Sequence, residues 1–155
     1  MVALAMLVGF LVLSGCATGP DPLLQLSNES IALMQQANNR SLTPQERMTM
    51  AQRLMAHSSR YDVIIRDRYA TRQDQMSALR LKKADADTAA VLMRTIAEDY
   101  IANGEMEKGR DMYYLILKTF TGDAYNGTRR SVEAELMHLD EKAHRKASTK
   151  PTLVY

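Results

Sequence analysis

With 155 residues, 46% of them hydrophobic and 25% charged, the chain suits one domain with a buried core and a well-solvated surface. A formal charge of +2, with Arg and Lys interleaved among Asp and Glu, excludes the clustered basic face of a nucleic-acid binder. A single cysteine excludes an intramolecular disulfide and a cysteine-only metal cluster.

Residues 1–13 (MVALAMLVGFLVL) are almost wholly apolar. The run is shorter than the roughly 20 residues a bilayer span needs, and it has the length of a signal-peptide core. Leu13-Ser14-Gly15-Cys16 follows, then the breaker-rich stretch ATGPDP at 17–22. Leu, two small residues and Cys resemble the lipobox of bacterial lipoproteins, although no Lys or Arg opens the leader. The resemblance implies a signal peptide at 1–15, cleavage before Cys16, a diacylglyceryl thioether on Cys16 and a lipidated tether at 16–22. One acyl chain holds a protein marginally, with an association constant on the order of 10⁴ M⁻¹, and two or three hold it permanently. In proteobacterial lipoproteins, Asp after the cysteine resembles an inner-membrane retention signal; Ala17 stands there instead and implies the outer membrane.

Residues 23–145 read as an all-helical domain of about six helices, since helix formers (11 Met) outweigh Gly (7) and Pro (4) and alternating Val/Ile/Thr runs are absent. The first helix is expected over 23–39, with Leu26, Ile31, Met34 and Ala37 at helical spacing. Thr43-Pro44-Gln45-Glu46 is a capping box with proline at the first helical position. The helix it starts should run to about Ser58 with Met48, Ala51, Leu54 and Met55 on one face. A third helix is expected over 61–81 with an apolar row of Tyr61, Ile65, Tyr69, Met76 and Leu79, then a corner at Lys82-Lys83-Ala84-Asp85. A fourth should start at Asp87 or Thr88 and stop before Gly104; a fifth should run from Glu105 to about Thr119, with a corner at Thr121-Gly122-Asp123. The last carries Val132, Leu136, Leu139 and Ala143 as an apolar stripe. Residues 146–155 read as a basic, flexible tail.

Within this domain, residues 90–123 resemble one tetratricopeptide repeat, a helical hairpin of about 34 residues. Met93, Ile96, Ala97 and Tyr100 fall at the family's first-helix core positions, and Gly109, Tyr113 and Ile116 at its second-helix positions, with Gly104 at the turn. The family's Trp-Leu-Gly wording is absent, Ile116 replaces a usual Ala, and Thr121 stands where Pro is usual. The fold expected is therefore all-α with tetratricopeptide-like hairpins, the alternative being an irregular helical bundle. A small residue at 109 would let the two helices approach closely.

Candidates for chemistry are few. His57, His138 and His144 lack the i, i+4 spacing of a helical metal pair, so no metal and no cofactor is expected. No phosphate loop, nucleophile elbow or acid/base pair appears, so neither catalytic residues nor a small-molecule substrate are expected. Of Tyr113 and Tyr114 one must face inward, which leaves Tyr114 as a candidate partner contact; Arg145 and Lys146 in the basic end are candidates for lipid headgroups, cell-wall polymer or a partner. Leu153-Val154-Tyr155 could add as a strand to a partner sheet. The expected role is a membrane-anchored, non-enzymatic protein-binding or assembly module of an envelope complex (secretion, pilus or outer-membrane machinery) at the periplasmic face. The alternative is an envelope structural subunit or peptidoglycan-binding lipoprotein.

Overall fold

The computed structural model describes residues 21–148, apart from the side chains of 143 and 146–148. The expected signal peptide, Cys16 and residues 149–155 lie outside the described residues. The fold is all-α: α1 (Pro22–Ala37), α2 (Pro44–Arg60), the single turn α3 (Asp62–Arg66), α4 (Arg72–Ala102), α5 (Met106–Thr119), a 3-10 turn (Asp123–Tyr125) and α6 (Asn126–Ser148). Five of these helices are long, fewer than the six expected. No strand occurs among the described residues.

The start signals act as chemistry requires. Asp21 accepts the Leu23 N–H at 2.9 Å ahead of Pro22. At α2, Thr43 Oγ1 accepts the Glu46 N–H (3.3 Å) and Glu46 Oε2 accepts the Thr43 N–H (2.8 Å), closing the reciprocal box. The α4–α5 turn is a Schellman cap: the Glu105 N–H reaches Tyr100 O, the Gly104 N–H reaches Ile101 O, and Gly104 takes φ +82°.

Between 61 and 103 the helices depart from the expected pattern. The expected corner at 82–85 does not form, and α4 runs unbroken through it for 31 residues. Nothing between Arg72 and Ala102 is Gly or Pro, Lys83 pairs with Asp87 one turn on (2.6 Å), and Lys82 reaches across to Asp62 (2.6 Å). The break comes earlier, at 67–71. Asp67 Oδ1 takes the Tyr69 N–H (2.9 Å), and Thr71 then caps α4 by accepting the Asp74 N–H (3.1 Å). The apolar row expected on a 61–81 helix is thereby split: Tyr61 is buried, whereas Tyr69, Met76 and Leu79 are exposed. Ile31 is also exposed, and the inward face of α2 is Met50, Ala51, Leu54, His57 and Ser58, with Met48 and Met55 at its margins.

Side-chain pairs set the directions. Arg47–Asp99 and His57–Asp85 hold α2 antiparallel to α4, and Asp62–Lys82 fastens α3 beyond it. Arg94 meets Ser131 and Glu135, and Arg110 meets Asp140, so α6 climbs parallel to α4. The chain therefore enters at the α3 end and α6 leaves at the opposite end, separated by the roughly 46 Å length of α4. Alanines at 78, 86, 89, 90 and 97 line the buried face of α4, and their small size lets neighbours pack closely. Gly109, Tyr113 and Ile116 of α5 and Phe120 just after it, with Val132, Leu136 and Leu139 of α6, complete the main core. Leu26, Tyr61 and Ala78 form a second cluster at the α3 end.

Candidate functional site

The middle of α4 faces outward between two depressions. On one side Lys83, Asp87, Arg94, Thr128 and Ser131 bound a space of about 280 Å³ between α4 and α6. On the other, Asn38, Asn39 and Arg40 after α1, together with Arg47, Thr88 and Thr95, bound about 420 Å³. Val91 lines both and is 60% exposed. Most charged groups along this groove are already matched: Lys83 with Asp87, Arg47 with Asp99 (2.5 Å), Arg94 with Glu98 (2.9 Å). The surface thus offers the exposed Val91 side chain flanked by polar walls whose charges, Arg40 apart, are mostly paired.

Tyr113 is buried and Tyr114 is 58% exposed, the division their adjacency on a helix requires. Burial, assisted by the nearby Glu135 and Glu98 charges, pushes the Tyr113 phenol up to about 12. Arg145 is exposed on α6 beside Glu141 (3.5 Å), and Lys146 lies on the same helix. Neither Tyr114 nor Arg145 lines the groove across α4. Cys16 lies outside the described residues.

A polar cluster that sequence reading missed sits beneath, where three helices meet. Asp85 of α4 is fully buried. Its Oδ1 accepts the Ser30 hydroxyl of α1 at 2.5 Å, and its Oδ2 meets His57 Nδ1 of α2 at 2.6 Å. A buried carboxylate is costly unless its oxygens are hydrogen-bonded, so these contacts hold the three helices in one register. The His57 ring stands edge-on to Tyr61 (5.4 Å), whose hydroxyl donates to Leu26 O (3.2 Å). Burial, then the Asp85 charge, pushes the Tyr61 phenol up to about 12.

This arrangement is not that of a nucleophile and its base. Asp85 lies between hydroxyl and imidazole, so the Ser30 hydroxyl donates its hydrogen bond to the carboxylate rather than facing His57. His57 Nε2 is buried without a hydrogen-bond partner beside an open groove of Glu29, Leu33, Arg53 and Arg60. Glu29 Oε2 stands 3.5 Å from it, and the Arg60 guanidinium bound to Glu29 holds that carboxyl below its usual range. Two such atoms make an incomplete metal shell, and no group of three ligating side chains occurs among the described residues. The signal available in sequence was Ser30, His57 and Asp85 at inward-facing helical spacings, polar residues where apolar ones belong.

Comparison with family models, curated proteins and solved structures finds no match.

Proposed function

We propose that the chain is a lipoprotein held to the cell envelope through acylated Cys16, its helical body serving as a non-enzymatic docking or assembly module for a protein partner. The observation that carries the docking half is the groove across α4, with exposed Val91 between its two depressions. On this reading α1–α2 and α4–α5 are tetratricopeptide-like hairpins and α6 opens or caps a third. The first helix of each unit (α1, α4, α6) would then line the concave side, where such stacks receive extended segments. The close seat of Gly109 on α4 and the inward Met93, Ile96, Ala97, Tyr113 and Ile116 support that assignment. The anchor half rests on Leu13-Ser14-Gly15-Cys16. No helix among the described residues is long and apolar enough to cross a membrane.

Affinity isolation of the full chain from detergent-solubilised envelopes, with intact-mass measurement of the same sample, tests both halves. A stoichiometric partner is expected with the parent and lost with Val91→Asp, and the chain should carry its added mass at Cys16. Recovery of the same partner by Val91→Asp would end the groove assignment, and an unprocessed, unacylated chain would end the anchor.

A second reading has its own support. Because α6 leaves at the end opposite the start of α1, its basic residues Lys142, Arg145 and Lys146 lie far from Pro22. That suits contact with cell-wall polymer better than with the lipid the tether enters. Sedimentation with purified peptidoglycan, lost on removal of residues 142–155, would favour it.

A further inference from the structure

The α3 end carries an exposed surface that the groove on α4 does not use. There α3, the turn at 67–71 and the first turns of α4 gather Val63 (77% exposed), Tyr69 (79% exposed) and Met76, with Leu24 exposed in the first turn of α1. Arg66, Arg68 and Arg72 surround them, exposed and without ion-pair partners among the described residues. Of the acids of this end, Asp62 is paired with Lys82 (2.6 Å), whereas Asp67 and Asp74 keep their charge and accept hydrogen bonds from the Tyr69 N–H (2.9 Å) and the Thr71 hydroxyl (2.7 Å). The result is an apolar, aromatic tip bordered by three arginines that outnumber the two unpaired carboxylates, Asp67 and Asp74. The Arg68 guanidinium lies over the Tyr69 ring (4.7 Å) and donates to its hydroxyl (2.6 Å).

We propose that this end docks on an anionic phospholipid bilayer, with Val63 and Tyr69 at the boundary of headgroups and acyl chains and Arg66, Arg68 and Arg72 on lipid phosphates. Exposed aliphatic and tyrosine side chains ringed by arginine are what that boundary accommodates. The proposal rests on the lipid-anchor reading for its geometry. The path from Cys16 to Pro22 spans at most about 20 Å, whereas the body is roughly 46 Å long. The anchor therefore brings the α1 start, and with it Val63 and Tyr69, to the bilayer before any other end.

The chain has no tryptophan, so Tyr69→Trp supplies a single fluorescent reporter in the full chain, with Tyr114→Trp on α5 as the comparison. The proteins are isolated from envelopes and placed in vesicles of phosphatidylethanolamine and phosphatidylglycerol, or of phosphatidylcholine alone. In phosphatidylglycerol vesicles, emission at position 69 should shift blue, be quenched by brominated lipid and resist iodide, while position 114 stays open to iodide. Adding Arg66→Gln, Arg68→Gln and Arg72→Gln should weaken docking on the order of a hundredfold and return the reporter to water. Position 69 equally open to iodide in both vesicles, with circular dichroism showing an intact fold, overturns docking; so does shielding that the arginine variants leave unchanged. Intact mass read on the same samples judges the anchor separately: shielding without acylation keeps the docking surface and removes the anchor.

Discussion

Gly109 of α5 lies so close to Ile101 of α4 that a methyl group on its Cα would stand 2.5 Å from Ile101 Cγ1 and 3.1 Å from Ala97 O. Alanine is the better helix former by about 1 kcal/mol, yet here it overpacks a helix crossing. Gly109→Ala should therefore lose about 1–2 kcal/mol net in urea unfolding, overpacking outweighing propensity. Ile101→Ala in the same chain should recover part of that loss. A Gly109→Ala protein as stable as its parent would show that the crossing has room to spare.

Asp85 should be the most sensitive polar residue of the core. Asp85→Ala strands the Ser30 hydroxyl and His57 Nδ1 without their acceptor, and breaking a buried charged network typically costs about 3–5 kcal/mol. Asp85→Asn, which keeps one carbonyl acceptor, should cost less. Thermal denaturation of the two variants tests the order; equal midpoints with the parent would mean that Asp85 does not hold α1, α2 and α4 together.

The capping box gives an acid-side prediction. Its bonds from the Thr43 backbone and hydroxyl hold the Glu46 carboxyl below the usual glutamate range. A lowered folded-state value means the contribution is complete above the ordinary glutamate pKa and disappears as pH falls through the lowered one. Stability differences between parent and Glu46→Gln should thus be largest near neutrality and vanish in acid. Thr43→Ala should cost about 1 kcal/mol near neutrality, read from the same unfolding curves.

Tyr61 and Tyr113 set the alkaline limit. Both phenols are pushed up to about 12, so the folded chain keeps two protons that the unfolded chain releases near 10. Their stabilising contribution is whole below 10 and is lost as pH rises toward 12. In a spectrophotometric titration, two of the seven tyrosines should ionise last, together with loss of helix signal. Tyr61→Phe should remove one of the two late ionisations; seven identical phenols in the parent would refute the burial of both rings.

Local signals were legible wherever they closed on themselves. The Thr43–Glu46 box, the Gly104 turn and the Val132–Leu136–Leu139 stripe are written in neighbouring residues, because caps and amphipathic faces form within a few turns of one helix. Lys82-Lys83-Ala84-Asp85 misled because charged residues in a helix interior look like a solvated corner until their partners are known. Those partners, Asp62 for Lys82 and Ser30 and His57 for Asp85, lie 20 to 55 residues away in the chain.

The sequence by itself determined the helical class, most helix starts, the inward turn of Tyr113 and the outward turn of Tyr114, since these depend on periodicity and capping alone. Only the tertiary structure decided that α4 is continuous, that Val91 stands between two depressions, and that Val63, Tyr69 and three arginines share one end. Those facts depend on which helices lie side by side and in which direction, and that is settled by contacts between residues far apart in the chain.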